Sequence, residues 1–403
     1  MKKALGFGLW ALGRRKPAAQ SPKPKAFFPF IILRGFPLFD FRVLTTDASA
    51  RRGVLITPHG LADTPVFMPV GTNATVKMVT PDRLTETGTR IVLANTYHLT
   101  LRPGESVVEH LGGLHRFMGW DGPILTDSGG FQVLSLARLR HVGDDGVEFQ
   151  SHVDGSTIFL TPERAIEIQN ALGADIIMCF DECVHYPVEH YHAKQAMERT
   201  IVWAERCKQA HRRPDQALFG IVQGSVFPDL RADCSARLVA MDFPGYALGG
   251  FSVGEGADLM YDTIESTVPH LPAGKPRYLM GVGTPQDILQ AVERGVDMFD
   301  CVMPTRNARG ACAFSPGGKV RLRNLQYRLS DEPIDASCDC YACRTFTRGY
   351  IRHLFTVKEA LAGILTSIHN IRFYHRLMEG IRSAIAEQRF REFKKEFLST
   401  YAD

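Results

Sequence analysis

The chain has 403 residues, 45% of them hydrophobic, with 47 Lys and Arg against 43 Asp and Glu for a formal net charge of +4. It can bury a large core in one big domain or two, and it holds no apolar run long enough to span a bilayer, which excludes an integral helical membrane protein. Its nine cysteines, six scattered and three clustered, do not form a secreted disulfide framework; they suggest bound metal and a cytoplasmic location.

The charge is unevenly spread. Residues 1–35 hold eight Lys and Arg and no acid, residues 36–305 hold 22 against 33 acids, and residues 306–395 hold 17 against 8. An acidic body with a basic C-terminal third suggests a polyanion lying on one side.

Residues 1–35 are basic and Pro-rich, which predicts a disordered extension rather than a folded element. From Phe36 the pattern becomes globular. Phe39 to Leu44 alternates like a strand, and Arg52 to Thr57 reads as its hairpin partner, a suitable plug for the bottom of a barrel. Eight short apolar runs follow, each giving way to polar or Gly-rich residues and then to a helical stretch. They are Val66–Val70, Ile91–Ala94, Ile124–Leu125, Ile176–Phe180, Leu218–Val222, Tyr246–Leu248, Tyr278–Met280 and Val296–Phe299. Thr161-Pro162 and Thr284-Pro285 each place an N-cap and a first-turn proline, while Gly173 and Gly295 fall at helix C-termini. This rhythm predicts an α/β protein of the (β/α)8 TIM-barrel class. The runner-up is a doubly wound open sheet, but no Gly-rich dinucleotide fingerprint follows a first strand.

In a barrel, chemistry sits at the C-terminal ends of the strands. Those ends read Thr126-Asp127-Ser128-Gly129-Gly130-Phe131, then Phe180-Asp181-Glu-Cys183, then Gln223-Gly224, Gly249-Gly250, Met280 and Asp300. Three aspartates converge with no histidine beside them suited to activating a hydroxyl. Two carboxylates flanking a scissile bond are the signature of glycosidic chemistry, one attacking the anomeric carbon and one moving a proton. A third suits a ligand edge rich in N–H donors, such as a purine. Gln223 offers both donor and acceptor, and Gly249-Gly250 reads either as a tight turn or as a place for close backbone approach. Phe131 and Met280 read either as core or as the two faces of a slot for a flat ring. Further on, Cys338-Asp-Cys340-Tyr-Ala-Cys343 and the distant His369, in a predicted helical stretch 357–371, read either as a four-ligand set for one structural zinc ion with no open position or as three reduced thiols with an unrelated helix histidine.

Thr126 to Val133, Phe180 to Cys183, Gly220 to Ser225, Gly249 to Glu255, Tyr278 to Gly283, Phe299 to Arg306 and the Cys-x-Cys-x-x-Cys with its histidine together resemble the bacterial tRNA-guanine transglycosylases, the queuine tRNA-ribosyltransferase family. The resemblance runs from about Phe36 to the end. It implies a (β/α)8 barrel with a zinc subdomain inserted near the last strand, and a homodimer. The expected division is 1–35 as the extension, 36–312 as the barrel body, and 313–403 as the zinc subdomain with basic helices completing the barrel. The implied reaction replaces guanine at the wobble position of G-U-N anticodon tRNAs with 7-aminomethyl-7-deazaguanine, in queuosine biosynthesis. Asp300 is then the nucleophile at ribose C1′ and Asp127 the general acid/base. The base pocket is expected from Asp127, Ser128, Gly129, Gly130, Phe131, Asp181, Cys183, Gln223, Gly250, Val253 and Met280. Val253 stands where eukaryotic relatives carry glycine. The RNA-lining segments are expected at Gly281, Val282, Gly283, Thr284, Pro285, Gln286 and Asp287, and at Thr305, Arg306, Asn307, Ala308 and Arg309. The chain departs from the family pattern at Gly310-Ala311-Cys312, where relatives usually have Asn-Gly, and residues 1–35 have no counterpart.

Overall fold

The computed structural model describes residues 38–136 and 140–401. The expected N-terminal extension therefore lies outside the described residues.

Eight of the strands form a closed barrel. Three antiparallel strands come first: β1 (Asp40–Asp47), β2 (Ala50–Thr57) and β3 (Gly60–Thr64). The barrel begins with β4 (Val66–Gly71), β5 (Val92–Ala94) and β6 (Ile124–Thr126). A second antiparallel sheet interrupts it: β7 (Arg140–Gly143), β8 (Gly146–Gln150) and β9 (Thr157–Leu160). The barrel resumes with β10 (Ile176–Met178), β11 (Ala217–Val222), β12 (Gly245–Leu248), β13 (Arg277–Leu279) and β14 (Met298–Cys301). All its neighbours pair in parallel, and β14 closes the ring onto β4. A hairpin, β15 (Cys312–Ser315) with β16 (Gly318–Arg321), follows. Each of the eight predicted runs contributes a barrel strand. They are short and apolar throughout because both faces are buried.

The two faces bury different partners. Val66, Met68, Leu93, Leu125, Met178, Phe219, Ile221, Tyr278 and Met298 fill the interior. Their neighbours Phe67, Leu218, Val222 and Phe299 pack outward on the helices. Because side chains alternate along a strand, Asp300 shares the inward parity of Met298. Phe41, Leu55 and Ala62 join the interior cluster, so the opening sheet plugs the barrel, with a third strand beyond the predicted hairpin. The sheet β7–β8–β9 was not anticipated; it lies between β6 and the helix Pro162–Leu172 and has no counterpart in the strand–helix rhythm.

Local signals place the helices as expected. Thr161 Oγ1 accepts from Arg164 N at 3.2 Å and Thr284 Oγ1 from Asp287 N at 3.0 Å. The long helix Ala360–Ala386 exceeds the predicted 357–371 stretch; it packs on β4, where Tyr374 meets Phe67 with ring centroids 4.6 Å apart. No helix among the described residues is long and apolar enough to cross a membrane.

A buried carboxylate ties the plug to the barrel. Asp175 Oδ1 accepts from His59 N and meets His59 Nδ1, while Oδ2 accepts from Ile124 N and meets His115 Nε2. The two imidazoles stack with centroids 3.5 Å apart. Although burial pushes this carboxyl up, the two histidine hydrogen bonds outweigh it and hold the group well below the ordinary range. Each oxygen already has two partners, so the trio is a satisfied structural network rather than an open metal site.

Candidate active site

The C-terminal ends of the barrel strands build the site. Asp300, in β14, is 9% exposed. Its Oδ1 accepts from Tyr278 Oη at 2.6 Å and Gly281 N at 2.7 Å, and no hydrogen bond from the described residues falls on Oδ2. Burial raises the Asp300 pKa while those two donors oppose the rise. Tyr278 is pushed well above its usual value by burial and by Asp300, so it remains a donor. The carboxylate is held by one oxygen with the other free to react.

Asp127 follows β6. Its Oδ2 accepts from Asn95 Nδ2 at 2.5 Å and its Oδ1 from Thr96 N at 2.8 Å; Thr96 Oγ1 donates to the Asp127 carbonyl at 2.5 Å. Burial raises its pKa to about 6, and the nearby Asp300 charge adds to the rise. Like-charged carboxylates at one mouth spread their protonation this way. Such a value suits a group that gives and takes a proton near neutral pH.

Asp181 follows β10. Its Oδ1 accepts from Ser128 Oγ at 3.0 Å and its Oδ2 from Gln223 Nε2 at 2.7 Å. Burial raises it to about 6 as well. Gln223 is 1% exposed, and its Oε1 has no partner among the described residues. A buried amide oxygen left unsatisfied is costly and marks a place where a donor belongs.

Glycines allow these groups to crowd. A Cβ on Gly130 would stand 2.6 Å from the Asp181 carbonyl oxygen, and one on Gly250 would stand 2.7 Å from Gln223 Oε1. Gly250 also has φ +73° and Gly129 φ +86°, in the left-handed region. Cys183 is buried, and burial with the Asp181 charge pushes its thiol up to about 12. Val253 and Met280 are half-buried; Phe131 is 45% exposed. Glu255 accepts from Ser252 N at 2.6 Å and Val253 N at 2.9 Å, pinning the loop that carries Val253.

The two expected RNA segments divide by exposure. Gly281, Arg306 and Arg309 are exposed, Thr284, Gln286, Asp287 and Asn307 are half-buried, and Val282, Gly283, Pro285, Thr305 and Ala308 are buried. Tyr374 Oη donates to the Gly283 carbonyl at 2.6 Å, anchoring the first segment to the long helix Ala360–Ala386.

The raised carboxyls have a measurable consequence. A carboxyl whose folded pKa lies above its unfolded value binds its proton more tightly when folded. Its stabilising contribution is therefore full in acid and is lost as pH rises through about 6. At neutral pH ionised Asp181 should cost on the order of 2–3 kcal/mol. Asp181→Asn should thus melt higher than the native protein at pH 8, with the difference vanishing near pH 4. Thermal melts across pH check this, and a gain of stability in acid instead would reverse the sign.

The cysteine cluster lies apart from the carboxylates. Sγ of Cys338, Cys340 and Cys343 and a ring nitrogen of His369 lie within 4.8 Å of one another, all buried. His369 Nε2 donates to the Phe314 carbonyl at 2.6 Å, which turns Nδ1, 3.2 Å from Cys343 Sγ, toward the thiols. Three sulfurs and one correctly oriented imidazole fit a tetrahedral metal ion. The next residue, Asn370, donates to the Pro304 and Cys312 carbonyls at 2.9 and 3.0 Å and accepts from Phe314 N at 3.0 Å. The cluster is therefore tied to the helix Met303–Arg309 beside Asp300.

Sequence reasoning missed Asn95, Thr96, Tyr278 and Glu255. Asn95 could have been found as the polar residue ending its strand. Tyr278, inside an apolar run, gave no such signal.

A family model described as queuine tRNA-ribosyltransferase matches residues 46–403. A protein of that name from Caldanaerobacter subterraneus subsp. tengcongensis is 58% identical over 90% of this chain and 97% of its own. Those of Desulforamulus reducens and Symbiobacterium thermophilum are each 58% identical, over 87% and 88% of this chain and 95% and 89% of theirs. With a closed eight-stranded barrel, a Cys3His cluster and a match of this extent, the chain belongs to the queuine tRNA-ribosyltransferase family of glycosyltransferases.

Proposed function

We propose that this protein exchanges guanine at the wobble position of G-U-N anticodon tRNAs for 7-aminomethyl-7-deazaguanine, through a covalent Asp300–ribose intermediate. The observation that carries the reading is the pair of buried carboxyls at one barrel mouth: Asp300 fixed through Oδ1 with Oδ2 free, and Asp127 raised to about 6. Asp300 Oδ2 attacks ribose C1′ of a flipped-out nucleotide. The glycosidic bond breaks, its electron pair goes to the ring nitrogen of guanine, and Asp127 supplies the proton. The incoming base then gives its ring proton to Asp127, its nitrogen attacks C1′, and the ester to Asp300 breaks. The proton returns to its starting residue, so the cycle balances.

Base recognition follows from the remaining polar groups. Asp181 accepts from the N–H edge of the purine, Gln223 Oε1 gains the donor it lacks, and the Gly250 N–H meets a ring carbonyl oxygen. Arg306 and Arg309, both exposed, meet phosphates of the anticodon loop. Cys338, Cys340, Cys343 and His369 would hold one structural zinc ion, whose chemistry is to staple the fold, since four protein ligands leave it no open position. The working unit is a cytoplasmic homodimer. Incubation with unmodified tRNA should give a complex that survives denaturation; its absence would overturn the covalent mechanism.

Val253 sets which base enters. Its branched side chain occupies space that a cyclopentenyl substituent on the base would need. Overfilling a tight site disfavours the larger base roughly 10- to 100-fold. In competition for one tRNA, the aminomethyl base should enter and the bulky base queuine be largely rejected, and Val253→Gly should relax the rejection. Equal incorporation of both by the unmodified protein would remove Val253 as the gate.

A further inference from the structure

We infer that Arg231 is a positioning residue of the base pocket: it holds the Gly249 carbonyl from behind, so that the Gly250 N–H faces the incoming base. The inference rests on the base-exchange reading above. Arg231 lies on the helix Pro228–Ala240 and is fully buried. Its Nη2 donates to the Gly249 carbonyl at 2.8 Å, its Nη1 to the Val222 carbonyl at 3.0 Å and its Nε to the Ser225 carbonyl at 2.7 Å. Its guanidinium lies 4.3 Å from the centroid of the Phe251 ring. No carboxylate pairs with it among the described residues. A buried cation satisfied only by backbone carbonyls is expensive for stability alone, whereas its planar fork is well suited to fixing several carbonyl directions at once.

The consequence follows from peptide geometry. In a trans peptide the C=O and the N–H point to opposite sides. The Gly249 carbonyl aims at Arg231, so the N–H of the same peptide unit, that of Gly250, aims away from it. On that side it meets the Cys183 thiol, a weak acceptor that a ring carbonyl oxygen would replace. The approach is close: a Cβ on Gly250 would lie 3.5 Å from Arg231 Nη2 and 2.7 Å from Gln223 Oε1. Released from Arg231, the Gly249–Gly250 peptide unit would be free to rotate and would lose its fixed donor.

The test compares two purines on full-length wild-type protein and on Arg231→Met: guanine, and 2-aminopurine, which lacks guanine's carbonyl oxygen and its N1–H; the Asp181 contact is the same in both proteins, so the comparison between them isolates the carbonyl. Arg231→Met should weaken guanine binding about tenfold or more while moving 2-aminopurine less than about twofold, because only the carbonyl contact is lost. Arg231→Lys keeps the charge and the stem but can reach fewer carbonyls. It should show the same selective loss in smaller measure, and it carries the test if the methionine variant does not fold. Equal weakening of both purines, or no change in either, would overturn the inference and leave Arg231 as packing. Wild-type protein that binds neither purine would overturn the base-exchange reading itself, and the inference with it.

Discussion

Asp300→Asn should abolish base exchange and the denaturation-resistant tRNA complex, lowering the rate by roughly four orders of magnitude or more. The substitution is nearly isosteric. Its amide oxygen can still accept from Tyr278 Oη and Gly281 N, which now fix Oδ1. The group that replaces Oδ2 is an amide nitrogen whose lone pair is delocalised, and it does not attack ribose C1′. Because Asp300 is buried and its pKa is raised by that burial, removing the charge should not destabilise the protein. The loss should therefore appear in covalent trapping on a denaturing gel, with the melting temperature not lowered and the metal content unchanged. An Asp300→Asn protein that still trapped tRNA would eliminate Asp300 as the nucleophile and move attention to Asp127.

Cys340→Ser should release the metal and unfold the region around it. Cys340 Sγ also accepts from Cys343 N at 3.4 Å, capping the short helix Tyr341–Thr345; a serine hydroxyl can keep that cap, so the variant removes the metal ligand alone. Binding of a structural zinc ion is folding energy, on the order of 10 kcal/mol in small zinc modules. Part of that loss should reach the active site through His369, Asn370 and the helix Met303–Arg309. Elemental analysis should find about one zinc per wild-type chain and none in the variant, with a lower melting temperature and protease cleavage concentrated between β16 and the helix Ala360–Ala386. Wild-type protein free of zinc would defeat the assignment.

The sequence by itself determined the strand–helix rhythm, the helix starts and the three thiols of the metal cluster. These signals are local. A strand buried on both faces must be apolar throughout, a Thr-Pro pair caps a helix within one turn, and three thiols within six residues are close in any fold. The aspartates were visible for the same reason, since a carboxylate ending an apolar run stands out against its neighbours. The tertiary structure alone decided what those groups face. Closure of β14 onto β4 joins residues more than two hundred positions apart; the register of β13 on β14 sets Asp300 beside Tyr278, and the closed ring brings it into the field of Asp127. Arg231 on an ordinary helix reads like any solvated arginine until burial places it behind Gly249. The sheet β7–β8–β9 stayed hidden because its half-exposed strands lack the continuous apolar runs of the barrel. Local periodicity encodes which residues are buried; which buried groups share one pocket, and so which protons they hold, depends on contacts between distant parts of the chain.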